Sequence, residues 1–81
     1  MANDLPDKIE ALLFALGRPL SRTELAKMLG VNEPAVEEAL GALAGRQGGG
    51  VVLVDDGREV ELRVSAGSAS LIEKIRKEEY S

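Results

Sequence analysis

The side chains of this 81-residue sequence that could do chemistry are carboxylates, amines and hydroxyls, because it contains neither cysteine nor histidine. Disulfides, thiol chemistry and a histidine-based nucleophile are therefore excluded. A metal ion could bind only oxygen ligands, and no aspartate-rich loop has the spacing of a calcium site. Since there is also no glycine-rich phosphate motif and no convincing carboxylate pair, we expect no catalytic residues, no metal and no cofactor.

The charge balance is acidic: ten Lys and Arg residues against fourteen Asp and Glu residues give a formal net charge of −4. Because clustered basic residues dominate non-specific affinity for DNA, we expect DNA binding to be weak at most. No apolar run is long enough for a membrane span, and the N-terminus lacks a signal-peptide pattern. We therefore expect a cytoplasmic protein without a membrane partner, and the length allows one domain, residues 1–81.

Apolar spacing and capping signals indicate three helices in the first half of the chain. Residues 7–17 form an amphipathic first helix, which Asp4 or Asp7 can cap. The segment Ser21-Arg22-Thr23-Glu24 has the form of a capping box and opens a second helix. Asn32 caps a third helix. Residues 22–41 thus match the spacing of a helix-turn-helix, with Gly30 at the turn that favours a left-handed backbone.

The second half of the chain predicts a β-hairpin followed by a helix. Residues 51–54 and 58–64 have strand patterns, and Asp56-Gly57 between them is a strong hairpin-turn signal. A second capping-box pattern starts a last helix at Ser70. The order of elements predicts an α+β winged helix, namely a three-helix bundle with a helix-turn-helix, a β-hairpin wing and a C-terminal helix. The apolar residues of the last helix, expected to face inward, are Leu71, Ile72 and Ile75.

The third helix would enter the major groove if this domain bound DNA in the usual way. Its outward candidates are Glu33, Glu37 and Glu38, with no basic residue beside them. Each carboxylate would approach a polyanion with a repulsion of about 1 kcal/mol even in a water-like dielectric. Three interpretations of this acidic face remain open: a solvated surface, a contact for a protein partner, and a DNA-reading surface. Its negative charge is least compatible with the third.

The wing and the first helix carry apolar residues at positions that face away from the expected core. A two-residue turn places Val52 and Val54 on the same sheet face as Glu59 and Glu61. This strip is either covered by a loop or the last helix, or is a partner or dimer surface. Phe14, on the far side of the first helix, either packs under the wing or the last helix, or forms a dimer contact.

The segment KIEALLFALGRPLSRTELAKMLGV resembles the opening of the bacterial segregation and condensation protein B family. In that family an IEALLF helix is followed by a Gly-x-Pro-Leu-Ser link and a helix-turn-helix. The resemblance extends from about Leu5 to Ser81 and includes SLIEKIRKEEYS. It implies a nucleoid-associated role in chromosome condensation and segregation, self-association as a homodimer, and binding of the kleisin subunit that bridges structural-maintenance-of-chromosomes (SMC) ATPases. It also implies that the protein is not an enzyme.

The sequence departs from this family in one large respect. Family members have two winged-helix domains, and residues 1–81 match only the first, so we expect the N-terminal half of a two-domain protein. Kleisin contacts that lie in the second domain cannot be transferred, and the glycines at 48–50 replace a more charged connection. The alternative function is that of a DNA-binding winged-helix transcription regulator fragment.

Overall fold

The computed structural model describes residues 4–46 and 49–80 of the chain. Within these residues the chain forms four helices and three strands, and the predicted α+β winged-helix class is confirmed. The helices are α1 (Leu5–Leu16), α2 (Arg22–Leu29), α3 (Glu33–Arg46) and α4 (Ala66–Tyr80), and the strands are β1 (Leu20–Ser21), β2 (Val51–Asp55) and β3 (Glu59–Val64).

Hydrogen bonds from side chains to the backbone fix the starts of the first three helices. α1 begins two residues earlier than predicted, since its cap is Asp4, whose Oδ1 accepts from the Asp7 N–H at 3.0 Å. The capping box of α2 is confirmed: Ser21 Oγ accepts from the Glu24 N–H, and the Glu24 carboxylate accepts from the Ser21 N–H, both at 3.1 Å. Asn32 caps α3, since its Oδ1 accepts from the Ala35 N–H at 2.9 Å. These caps satisfy N–H groups that have no partner within a helix.

The turn of the helix-turn-helix is a single left-handed residue. Gly30 has φ = 67°, and its N–H donates to the Ala26 carbonyl at the end of α2. A residue with a Cβ atom in this conformation costs roughly 1–2 kcal/mol. Glycine therefore allows the chain to leave α2 and enter α3 within three residues.

The three strands form one antiparallel sheet in the order β1-β3-β2. β1 consists of two residues between α1 and α2, and its Leu20 pairs with Val60 of β3. This strand was not predicted from the sequence, because two residues cannot show an alternating pattern. Both paired residues are buried, so β1 attaches the helix-turn-helix to the wing.

The hairpin is confirmed as the wing, but its turn lies one residue further along the chain than predicted. Asp56 still pairs across the strands, its N–H donating to the facing carbonyl at 3.1 Å, so Gly57 and Arg58 form the tip. The register consequently moves by two residues, and Val54 pairs with Glu61. Because side chains alternate with a period of two, this shift leaves each residue on the face predicted for it.

The core lies between the first three helices and one face of the sheet. Each fully buried Leu, Ile or Val side chain contributes about 1.5–3 kcal/mol relative to an exposed one. Among the described residues no polar or charged side chain is buried with it. The buried apolar residues are Ile9, Leu13, Leu20, Leu25, Ala26, Val36, Ala39, Leu40, Leu43 and Val60.

The last helix begins at Ala66, four residues before the predicted start. Ser65 provides the cap, since its hydroxyl accepts from the Ser68 N–H at 3.3 Å. Ser70 lies inside the helix, where its hydroxyl donates to the Ala66 carbonyl at 3.2 Å. The capping-box pattern at Ser70 was therefore misleading, because Ser65, five residues earlier, caps the helix instead.

The prediction that α4 buries its apolar residues is wrong. The exposed fractions are 58% for Leu71, 37% for Ile72 and 45% for Ile75. α4 makes no extensive contact with any other helix or strand of the described chain. These three residues, which we call the α4 stripe, are left in contact with solvent.

Two glycine substitutions test the account of the turn. Gly30→Ala is expected to lower the free energy of unfolding by about 1 kcal/mol, because alanine is strained at a positive φ. Gly41→Ala, in the interior of α3, is the matched control and is expected to raise it by about 1 kcal/mol. Neither added Cβ would meet an atom within 4 Å, so conformation alone distinguishes the two sites. Chemical denaturation measures both values, and shifts of the same sign would contradict this account.

Candidate protein-interaction surfaces

A network of ion pairs joins the helix-turn-helix to the wing. Arg22, the first residue of α2, lies between Glu37 of α3 and Asp55 at the end of β2. Its guanidinium donates to the two oxygens of Glu37 at 2.5 and 3.1 Å, and to the two oxygens of Asp55 at 2.7 and 3.2 Å. Only 16% of the Arg22 side chain is exposed. Two bidentate pairs therefore hold three elements in a fixed arrangement.

Hydrogen bonding within the network shifts the pKa of each of its three groups in the direction that favours the charged form. Hydrogen bonds from Arg22 lower the pKa of Glu37 and the pKa of Asp55. The Gly57 N–H, which donates to Asp55 at 2.8 Å, lowers the pKa of Asp55 further. The two carboxylates in turn raise the pKa of Arg22. Sequence reasoning missed this network, because its members are 15 and 33 residues apart and share no local pattern.

The three glutamates of the predicted acidic face belong to α3. Glu33, Glu37 and Glu38 are all exposed. Glu37 is neutralised by Arg22, whereas α3 offers no basic residue of its own before Arg46 at its last position. A DNA-binding helix needs cations on this side, so the face is unsuited to a phosphate backbone.

Val52 and Val54 lie on the sheet face away from the core, on the same side as Glu59 and Glu61. Their cross-strand partners in β3 are Arg63 and Glu61, which form an ion pair with each other. Both valines are half-buried, and β2 is an edge strand of the sheet. We call Val52, Val54, Glu59, Glu61 and Arg63 the outer sheet face. It is an apolar strip with charged borders, and its role as a contact surface stays a prediction.

Phe14 is 81% exposed, so the interpretation that it packs under the wing or the last helix is wrong. Its ring borders a shallow apolar groove between α1 and the sheet. Two carboxylates close one side of this groove. The lining residues are Asp7, Glu10, Ala11, Phe14, Val51 and Leu62.

A second apolar groove lies on the other side of α1, against α2. Ala11 lines both grooves, so they form one continuous surface across α1. We call this combination the α1 surface. The sequence signal was Phe14, an apolar residue on the far side of the amphipathic first helix. The residues lining the second groove are Lys8, Ala11, Leu12, Ala15, Met28 and Leu29.

In the described part of the chain, no group of three or more Asp and Glu side chains is arranged to hold a metal ion. In the same ranges, 4–46 and 49–80, no helix is both long and apolar enough to cross a membrane.

A helix-turn-helix with a β wing, an acidic third helix and open apolar grooves defines a winged-helix domain suited to protein contacts rather than to nucleic acid. Comparison with known families supports this class and narrows it. The model of the family "Segregation and condensation complex subunit ScpB" matches residues 7–81. The chain therefore belongs to the ScpB family.

Comparison with solved structures agrees with this assignment. A crystal structure of a dimer of the ScpB N-terminal domain complexed with a ScpA peptide superposes with a TM-score of 0.76 and 30% sequence identity. The match covers 86% of this chain and 91% of that chain. Comparison with curated proteins gives no significant match.

The Arg22 network predicts a pH-dependent loss of stability. Arg22→Gln is expected to lower the melting temperature at pH 7, because Glu37 and Asp55 lose their shared cation. Their pKa values are lowered in the folded protein, so the stabilisation is present above the ordinary carboxyl pKa of about 4 and is lost below it. The difference in melting temperature between wild type and variant should therefore shrink as the pH falls below 4.

Arg58→Gln, at the tip of the wing, is the matched control. It removes the same charge from an exposed position outside the network. We expect little change in its melting temperature at either pH. A wild-type-to-Arg22→Gln difference that stays constant from pH 7 to pH 3 would show that the two carboxylates do not depend on Arg22.

Proposed function

We propose that this chain is a non-catalytic module of the SMC–kleisin complex that self-associates and binds a segment of the kleisin. The observation that carries the proposal is the similarity, over 86% of the chain, to a domain that forms a dimer with a bound ScpA peptide. The family model supports the same assembly, because it describes a subunit of a segregation and condensation complex. The proposed location is the cytoplasm, where the complex would associate with the nucleoid.

The chemistry of the side chains supports a non-catalytic role. The sequence has no cysteine or histidine. The carboxyl groups of Glu24, Glu37, Asp55 and Asp56 have pKa values lowered by hydrogen bonds. A general acid at neutral pH needs a raised carboxyl pKa, so these groups are poor proton donors.

We propose the outer sheet face as the site that contacts the kleisin segment. Val52 and Val54 supply apolar area there, and Glu59 and Glu61 supply a charged border. β2 is an edge strand, so backbone N–H and C=O groups on its far side can pair with an extended polypeptide. We also propose that residues 1–81 are a single winged-helix domain that corresponds to the N-terminal half of the family's two-domain proteins.

The proposed function is tested with three binding measurements on the chain. Light scattering should show a dimer at high micromolar concentration, and calorimetry should show saturable binding of the cognate kleisin peptide. Titration with duplex DNA at low salt should give no tight complex. A concentration of about 1 mM is on the scale of weak association, so a strictly monomeric profile there would contradict the proposed self-association. A tight DNA complex with a steep salt dependence would favour the transcription regulator instead.

The proposed kleisin site predicts the effect of a charge on the outer sheet face. Val54→Lys is expected to weaken kleisin-peptide binding at least tenfold, about 1.4 kcal/mol, because it places a cation in the apolar strip. Ala44→Lys adds the same charge on the exposed side of α3 and should leave the affinity unchanged. Circular dichroism checks that both variants remain folded. Unfolding of Val54→Lys would mean that Val54 belongs to the core, and unchanged affinity would place the peptide elsewhere.

A further inference from the structure

The sequence contains one Asp-Gly pair, Asp56-Gly57, and the fold places it at the exposed tip of the wing. Among aspartyl sequences Asp-Gly rearranges most readily, because glycine has no side chain to hinder attack of its backbone nitrogen on the preceding carboxyl group. The turn nevertheless favours glycine here, since the φ of Gly57 is 96°. The proposed function makes no use of this pair, and the surrounding hydrogen bonds decide whether it reacts.

The rearrangement needs no reagent other than water. The Gly57 nitrogen attacks Cγ of Asp56, so that a C–N bond forms and a C–O bond of the carboxyl group breaks. The hydroxyl group leaves with the amide proton as water, and a five-membered imide remains. Hydrolysis of the imide at the main-chain carbonyl carbon adds the water back and leaves the chain joined through the side chain, as isoaspartate. The product has the same mass and one more methylene group in its backbone.

The nitrogen that would attack is held by a hydrogen bond. The Gly57 N–H donates to Oδ1 of Asp55 at 2.8 Å. This nitrogen becomes a nucleophile only when it loses its proton, and a carboxylate beside it disfavours the negative charge that would develop. Asp55 is itself fixed by Arg22, whose guanidinium donates to both of its oxygens.

The carboxyl group that would be attacked is held as well. Oδ1 of Asp56 accepts from the Glu59 N–H at 2.8 Å and from the Arg58 N–H at 2.9 Å. These two hydrogen bonds fix the orientation of the carboxyl group. They also lower the pKa of Asp56, because they favour its ionised form. Imide formation proceeds from the protonated acid, so the folded turn makes Cγ a poor electrophile.

We propose that Asp56 is a latent site of isoaspartate formation, and that the folded turn, with Asp55 positioned by Arg22, keeps it inactive. The ion-pair network then protects the covalent structure of the wing in addition to its orientation. Conversion of Asp56 would lengthen the backbone inside the turn. It would therefore disturb the pairing of the Asp56 N–H with the Glu59 carbonyl, which closes the hairpin.

Prolonged incubation of the whole chain at physiological temperature and neutral pH tests the proposal. One sample is folded and the other is unfolded in guanidinium chloride. After removal of the denaturant and digestion with trypsin, a protein isoaspartate methyltransferase labels isoaspartate and not ordinary L-aspartate. Fragmentation by electron transfer in a mass spectrometer locates the modified position.

Isoaspartate should form at position 56, at least about tenfold more slowly in the folded chain, because attack requires a local opening of the turn. Equal rates in the folded and unfolded samples would overturn the protection by the turn. An unfolded chain that forms no isoaspartate at this position would overturn the latent site itself. Neither outcome depends on self-association or on kleisin binding, so the proposed function is tested separately.

Variants of the network test its part in the protection. Asp55→Ala removes the acceptor of the Gly57 N–H, and Arg22→Gln releases Asp55 from its anchor. Both folded variants should form isoaspartate several-fold faster than the folded wild type, whereas all chains should react alike in guanidinium chloride. Circular dichroism checks that each variant is folded at the incubation temperature.

Gly30→Ala is the matched control, because it destabilises the domain at the turn between α2 and α3 and leaves the wing tip intact. It should react at the rate of the folded wild type. If it reacts as fast as Asp55→Ala, the reaction proceeds through global unfolding and the protective role of the network is overturned. A wild-type rate for Arg22→Gln would overturn the positioning of Asp55 by Arg22.

Discussion

Arg22 lies where the helix-turn-helix meets the wing, and the orientation of the sheet relative to the helices depends on the ion pairs that it forms. Its guanidinium contacts Glu37 and Asp55 at once, so α2, α3 and β2 cannot move independently without separating charges. The apolar pair Leu20 and Val60 makes a second attachment from within the core. The polar network lies on the surface and the apolar pair lies inside, so together they hold the junction between the helices and the wing from both sides.

The same network affects what the domain can bind. A third helix that reads DNA presents cations, whereas here Glu37 has an arginine of its own chain as counterion and the neighbouring carboxylates remain exposed. Because Arg22 pairs with carboxylates of its own chain, it offers no free positive charge to a ligand, and the surface of α3 stays negative. The domain therefore has the winged-helix fold, but the negative charge of α3 disfavours nucleic acid on the side where winged helices usually bind it. The surfaces left for contacts are apolar ones, on α1, on α4 and on the outer side of the sheet.

Local signals predicted the elements well, and long-range contacts account for what was missed. The capping box at Ser21 and the left-handed Gly30 depend on residues within four positions, so the sequence alone was sufficient. The side-chain faces of the wing were also predictable, because a register shift of two residues preserves them. The Arg22 network and β1 depend on partners that only the fold brings together. The expected burial of Ile72 and Ile75 was wrong, because periodicity shows that a helix has an apolar side but not which chain covers it.

Exposed apolar residues in so small a domain have an energetic meaning. A chain of this length buries only about 60% of its unfolded surface, so its stability is limited. Phe14 and Leu71 contribute little hydrophobic stabilisation to the single chain, because their exposed fractions are 81% and 58%. Covering them in a complex would add hydrophobic stabilisation that the single chain lacks. Folding and assembly would then be coupled, and the stability of the domain would rise with its concentration and with that of its partner.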